Sequence, residues 1–174
     1  MNFELGPALL AGFVATAVMS AMVTMSKRMG MTDMPPFSLV TGTMFSGIED
    51  KARKIGGLIH YGMMGTVLFG IAYALVFDAA GSSSWAIGLG AGLAHGALVG
   101  SIMPVMPLMH PRMERALVTV GAGTGSVGRT PDGEVRLAEP GYFGRGWGAM
   151  TPLGILMGHA VYGIVLALVY DALI

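Results

Sequence analysis

Four long apolar segments constrain the fold of this chain more than any other feature. A helix needs about 20 mostly apolar residues to cross about 30 Å of hydrocarbon. Segments of that length cover residues 5–26, 56–77, 85–108 and 151–171. Asp171 is the sole Lys, Arg, Asp or Glu within them, and 53% of the chain is hydrophobic against 11% charged. The sequence therefore predicts an all-α, polytopic membrane protein with four spans in a single domain, residues 1–174.

The positive charges predict an orientation. All 10 Lys and Arg residues lie in the connecting segments 27–55 and 109–150. Because Lys and Arg near span ends resist translocation, both segments are expected to be cytoplasmic loops, with the N-terminus and the C-terminus outside. The first apolar segment has no basic residue before it and is too long for a signal-peptide core, so we expect it to be retained as a span.

The two halves of the chain resemble each other. Residues 18–30 align with 102–114, and residues 69–79 align with 162–172. The first alignment matches Met19, Met22, Met25, Arg28 and Met29 with Met103, Met106, Met109, Arg112 and Met113. Each copy contains two spans and therefore keeps the same orientation. This predicts a four-helix bundle made of two parallel two-helix repeats.

Small residues form a ridge on two of the predicted spans. The ridges consist of Ala8, Gly12, Thr16, Ser20 and Thr24 in the first span and Gly88, Gly92, Gly96 and Gly100 in the third. Membrane helices associate where small residues let their backbones approach. We expect these faces to pack within the monomer, with contact to a second copy or to other membrane subunits as the alternative.

His95 and His159 lie deep within predicted spans. His95 is about 15 Å along the third span and His159 about 12 Å along the fourth, counted at 1.5 Å per residue. Ionisable residues at such depth are functional candidates, and two imidazoles could ligate haem, bind a metal or relay protons. The alternative is a hydrogen bond between helices. His60 and His110, near the cytoplasmic interface, are expected to be solvated and to need no special role.

Methionine side chains continue the face of the third span that carries His95. At 100° per residue, Met106 lies about 20° and Met103 about 80° from that direction. Thioethers favour Cu(I), so these two are candidate copper ligands. The alternative is that they fill irregular gaps beside the kinks expected at Pro104 and Pro107.

Three carboxylates, those of Glu4, Asp78 and Asp171, lie at the predicted outer ends of spans. Helix C-termini disfavour negative charge, so a bound cation would explain Asp78 and Asp171. Solvated interfacial acids are the simpler interpretation, because only deeply buried charges require a partner.

The second connecting segment contains a glycine pattern. Gly123, Gly125 and Gly128 fit G-x-G-x-x-G, but a dinucleotide site requires a helix to begin there. A Pro-Asp-Gly turn follows instead, which predicts a flexible loop or a short β-hairpin. With no cysteine, no catalytic motif and no basic run, neither an enzyme nor a nucleic-acid-binding protein is indicated.

The stretches AGFVATAVMSAM, MPVMPLM and GHAVYGIVLALVY resemble a family of uncharacterised small four-helix integral membrane proteins of prokaryotes, a domain of unknown function. The resemblance implies a prokaryotic plasma membrane and brings no catalytic residue or substrate. We therefore expect a non-enzymatic helical bundle or an accessory subunit of a membrane complex. The alternative is a small transporter or a haem- or metal-binding protein that uses the mid-membrane His and Met residues.

Overall fold

Five α-helices account for most of the structure, a computed structural model that describes residues 2–114 and 125–174. They are α1 (Leu5–Arg28), α2 (Phe37–Thr43), α3 (Glu49–Ala80), α4 (Trp85–Met109) and α5 (Thr151–Asp171). All except α2 are long and apolar enough to cross a membrane, and each of these four contains one of the predicted spans. The prediction of a largely helical chain with four helices long and apolar enough to span a membrane is confirmed.

Helix boundaries follow local chemistry. Gly81 ends α3 with φ +67°, and Ser82 N–H returns to the Phe77 carbonyl oxygen at 3.1 Å, so the glycine supplies the left-handed turn that closes a helix C-terminus. Within α4, Pro104 lies in a 3₁₀ turn, Met103–Val105. Proline cannot donate the helical hydrogen bond, which explains the break.

The middle of α3 departs from α-helical geometry. Leu58–Phe69 is a π-helix, in which hydrogen bonds span five residues rather than four. Thr66 reinforces this spacing, since its hydroxyl donates to the Tyr61 carbonyl oxygen at 2.7 Å. The wider turn changes which side chains face neighbouring helices, and no feature of the apolar sequence signals it.

The described residues form two compact units. The helical unit comprises those within Met1–Met22, Tyr61–Leu98 and Leu156–Ile174. Its buried core consists of Ala8, Ala11, Ala15, Tyr73, Ala74, Phe77, Tyr162, Leu166, Ala167 and Tyr170. Alanine on one helix against aromatic rings on others lets the backbones approach while the rings fill the space between them.

The second unit, here called the mixed unit, comprises the described residues within Val23–His60 and Val99–Ile155. It contains α2 and three strands, β1 (Met113–Glu114), β2 (Val127–Arg129) and β3 (Val135–Ala138), ordered β1-β3-β2. Its buried core consists of Leu39, Val40, Ala52, Met103, Met113, Val135, Leu137, Trp147 and Ile155. The two connecting segments thus fold together around a core that also includes Met103 of α4 and Ile155 of α5.

The small sheet corrects the all-α prediction, and of the two alternatives expected for this segment, a flexible loop or a short β-hairpin, the structure has the hairpin. Strands β2 and β3 pair antiparallel across a turn in which Gly133 has φ +88°. Gly128 lies within β2, and a turn follows it directly; Gly123 lies outside the described residues. Alternation explains β3, because Val135 and Leu137 are buried while Arg136 and Ala138 are half-buried.

Candidate functional site

His95 of α4 and His159 of α5 meet within the helical unit. Their ring centroids are 4.6 Å apart and the ring planes cross at 74°. Both side chains are half-buried. The structure thus brings together the two mid-span imidazoles that the sequence singled out.

Two aromatic residues of α3 enclose His95. The Tyr73 hydroxyl and His95 Nδ1 share a hydrogen bond of 3.2 Å. The Phe69 ring lies 4.1 Å from the imidazole, centroid to centroid. Because one ring nitrogen is held and one face is covered, Tyr73 and Phe69 set the orientation of the His95 imidazole.

A second set of hydrogen bonds lies beside this cluster. The buried Tyr162 hydroxyl donates to the Gly65 carbonyl oxygen at 3.2 Å, and the Tyr162 ring packs edge-on against Tyr73 at 5.4 Å. On α1, Thr16 donates to the Gly12 carbonyl oxygen at 2.7 Å. Tyrosine and threonine hydroxyls inside a span avoid the cost of an unsatisfied polar group by bonding to backbone carbonyls in this way.

Glycines bring the α4 and α5 backbones together around the histidines. A Cβ added at Gly92 would collide with the His159 carbonyl oxygen, and it would lie 3.0 Å from Ala160 Cα. A Cβ added at Gly163 would lie 3.1 Å from Gly92 Cα and would collide with the Gly88 carbonyl oxygen. Side chains larger than hydrogen at these positions would therefore separate the helices that carry His95 and His159.

The small-residue ridge on α1 also lets another helix, α3, approach closely. A Cβ added at Gly12 would lie 2.8 Å from Gly70 Cα of α3, and Ala8 is completely buried. These parts of both ridges pack within the chain, which is the interpretation that the sequence favoured over a contact with a second copy.

Met103 and Met106 belong to the mixed unit. Met103 is 3% exposed and is part of the core of that unit, and Met106 packs against the same core. Here they fill apolar space beside the interrupted end of α4, the role expected of a flexible thioether next to a proline break.

The prediction that His60 and His110 are solvated is wrong. His60 is 7% exposed and His110 is 5% exposed. The His60 ring packs against Phe37 of α2 with centroids 5.2 Å apart. The mixed unit covers both rings because the connecting segments fold over them instead of extending into solvent.

His110 is held by hydrogen bonds at both ring nitrogens. Arg112 N–H donates to Nδ1 at 3.2 Å, so the proton of the neutral ring is on Nε2, which donates to the Val40 carbonyl oxygen at 2.9 Å. The Thr43 hydroxyl lies 3.2 Å from the same nitrogen. Burial lowers the pKa of His110 below its usual 6.5, because the charged imidazolium is poorly solvated there.

Asp171, one of the three carboxylates at predicted span ends, has a clear partner. Ser83, which is 4% exposed, donates its hydroxyl proton to Asp171 Oδ1 at 2.5 Å. Glu4 contributes its backbone N–H, which donates to the Tyr170 hydroxyl at 2.9 Å. Within the described residues, no three His, Asp or Glu side chains form a group that could hold a metal ion.

Haem does not fit between the two imidazoles as they stand. A porphyrin ring must lie between the two ligands of a bis-histidine haem, whereas His95 and His159 touch edge to face at 4.6 Å. The glycine contacts of α4 with α5 hold the helices at this separation. A single small cation bound by both imidazoles would not require a gap of that size.

Sequence reasoning missed Tyr73, Phe69 and Tyr162. A signal was present for one of them, since Tyr162 follows His159 by three residues and shares its helix face. Tyr73 and Phe69 lie at or next to the π-helix, whose effect on side-chain direction could not be anticipated. Comparisons of the chain with protein-family models, curated proteins and solved structures find no match.

Proposed function

We propose that the chain is a non-enzymatic integral membrane protein, a helical bundle that serves as an accessory subunit of a membrane complex in a prokaryotic plasma membrane. The observation that carries this proposal is the use of polar side chains in the helical unit. Tyr73 of α3 shares a hydrogen bond with His95 of α4. Tyr162 of α5 donates a hydrogen bond to the Gly65 carbonyl oxygen of α3. Polar groups that hydrogen-bond to one another hold helices together.

The exposed helix surface supports a role among lipids and other membrane subunits. Only 28% of the apolar window of α1 is buried inside the chain, and 44% of that of α5. Large apolar side chains such as Leu10, Phe13, Leu93 and Leu168 face outward. These surfaces suit lipid tails or the helices of a partner.

The proposal includes the parallel arrangement of two two-helix repeats. Gly70 packs against Ala8 and Gly12, and its repeat counterpart Gly163 packs against Gly88 and Gly92. In each half, a glycine of the second span thus meets the small-residue ridge of the first. When the two halves are aligned, the ridge position that Gly163 contacts lies about one helical turn from the position that Gly70 contacts. This supports a helix pair that was duplicated and later shifted in register.

The proposed orientation places both basic connecting segments in the cytoplasm. Alkaline phosphatase folds only outside the cytoplasm, so a fusion to the C-terminus should be active, and a fusion within residues 27–55 should be inactive. The opposite pattern would reverse the orientation.

Co-purification tests the accessory role. The tagged protein, expressed at native level and extracted in mild detergent, should elute with a membrane partner at fixed stoichiometry through a high-salt wash. An unrelated four-span protein with the same tag is the control. Elution as an isolated monomer, together with solute flux into proteoliposomes, would favour a transporter and defeat the proposal.

A second candidate function is metal binding at the cluster of His95, His159 and Tyr73. The contact between the imidazoles favours it, and so does the Tyr73 hydrogen bond, since metal-ligating histidines commonly bond through the second ring nitrogen. Copper bound by purified protein and lost in H95Q/H159Q would support it. Replacing Met103 and Met106 by Leu tests whether these methionines contribute. Metal-free protein, with an unfolding midpoint that falls in H95Q/H159Q, would leave helix pairing as the role of the cluster.

A further inference from the structure

The connection between α2 and α3 forms a tight apex that displays apolar side chains. A Cβ added at Gly42 would collide with the Ala52 carbonyl oxygen, and one added at Gly56 would collide with the Ser38 carbonyl oxygen, so the two helices pack backbone against backbone. Between them, Met44, Phe45 and Ile48 are 41%, 62% and 68% exposed. We call these three residues the apex patch.

The apex is anchored, so these side chains are held outward. Ser46 and Gly47, between the exposed residues, are buried. Val135 N–H of β3 donates to the Gly47 carbonyl oxygen at 2.9 Å, and Ser46 Oγ accepts from Ile48 N–H at 3.2 Å. An apolar patch on an anchored turn loses little conformational entropy when a partner covers it.

Lipid tails cannot cover the apex patch. The first six residues of α3 include Glu49, Asp50, Lys51, Arg53 and Lys54. Charges of this density stay out of hydrocarbon, and the apex precedes them in the chain. Ile48 is therefore separated from the apolar part of α3 by about 10 Å of charged helix at 1.5 Å per residue, on the aqueous side.

The charge beside the apex indicates the chemistry of what binds there. Glu49 forms ion pairs with both Arg53 and Arg129, whose side chains are 45% and 55% exposed. One carboxylate thus forms ion pairs with two guanidinium groups. The Glu134 carboxylate lies close to Gly47 and pairs with Arg112 and Arg136, while exposed Lys51 and Asp50 offset each other. Since Lys54 is also exposed, basic side chains around the apex outnumber acidic ones, and this excess of positive charge favours an acidic partner.

We propose that the apex patch is a docking site for a partner protein segment in which an apolar side chain is flanked by Asp or Glu. Phe45 and Ile48 supply the apolar contact, and Arg53 and Arg129 receive the carboxylates. The inference rests on the proposed accessory role and identifies an aqueous surface through which a partner is held. Exposed aromatic and arginine side chains are the groups that dominate binding at such interfaces.

Site-specific photo-crosslinking tests the proposal. A benzophenone amino acid replaces Phe45 in one variant and Tyr142, which is 59% exposed in the same unit, in the matched control. Irradiation of native membranes should yield a protein adduct at position 45 that is absent at position 142, and sequencing should place it in an acidic segment. Adducts to lipid, adducts to a second copy of this chain, or equal products at both positions would overturn the proposal.

Binding of the identified segment, as a synthetic peptide, to the intact protein in nanodiscs completes the test. F45S/I48S should weaken binding by about tenfold or more, and affinity should fall when salt rises from about 50 mM to about 500 mM. Both positions are exposed, so circular dichroism and the unfolding midpoint should not change. Unaltered affinity in F45S/I48S would refute the docking site, even where the complex still co-purifies. Loss of the complex from the wild type would instead refute the accessory role.

Discussion

Replacing Gly163 with Ala should destabilise the protein more than the same change at either of the other two glycines of α5, Gly154 and Gly158. The added Cβ would lie 2.9 Å from Gly88 C and 3.1 Å from Gly92 Cα, and it would collide with the Gly88 carbonyl oxygen. All three atoms are backbone atoms of α4, so no side-chain rotation relieves the contact. Non-bonded carbon atoms sit about 3.5–4.0 Å apart, and the contact with the carbonyl oxygen is the shortest of the three, so the helices must separate by about 1 Å or more at this point.

The expected cost follows from overpacking. Extra methyl groups that force backbone shifts cost about 1–3 kcal/mol. Separation would also loosen the contact between His95 and His159, because Gly92 packs against the His159 backbone. We expect the free energy of unfolding of G163A to fall by about 1–3 kcal/mol on these grounds.

Gly154→Ala is the matched control on the same helix. No heavy atom lies within 4 Å of a Cβ added at Gly154, and alanine is favoured over glycine in a helix by up to about 1 kcal/mol. The control should be as stable as the wild type or slightly more so. Both are measured by reversible unfolding in mixed micelles at rising dodecyl sulfate, followed by helical circular dichroism. Equal free-energy changes in the two variants would refute the close approach of α4 and α5.

Three further outcomes are expected. Because burial lowers the pKa of His110, the unfolded state binds up to one more proton than the folded state as the pH falls from about 6.5 toward the lowered pKa; stability should therefore fall by up to about 1.4 kcal/mol per pH unit in that window. H110Q should show a shallower decline in unfolding midpoint between pH 7.5 and 5.5, and parallel curves would contradict this role. L137A, at a position with no exposure, should cost about 2–5 kcal/mol and open the mixed unit to limited proteolysis; an unchanged digestion pattern would count against that core. Y73F should cost about 0.6 kcal/mol through the lost hydrogen bond to His95, whereas Y142F, at an exposed position, should match the wild type in the same unfolding assay.

The helical framework was readable from the sequence for one physical reason. Hydrocarbon cannot hydrogen-bond the backbone, so an apolar run of about 20 residues has to be a helix whatever its neighbours are. That is why the predicted segment 151–171 matches α5 and why 85–108 nearly matches α4. The turn after β2 was readable too, since Pro-Asp-Gly specifies a tight turn through its own backbone preferences.

The candidate site was readable only in part. Depth along a helix follows from residue count, so His95 and His159 could be placed at similar levels before their contact was known. Which residues surround them depends on helix rotation and on the π-helical stretch of α3. Tyr73 therefore emerged as the partner of His95 only from the packed structure.

The connecting segments show most clearly which features follow from the sequence and which depend on the tertiary structure. The sequence positions of the basic residues predicted an orientation, because the orientation of spans depends on the number and position of Lys and Arg in the loops. The core formed by Leu39 and Leu137, and the burial of His110 against Val40, join residues about 70 to 100 positions apart in the chain. Contacts across such separations depend on how distant side chains fill a common volume, and only the tertiary structure decides that.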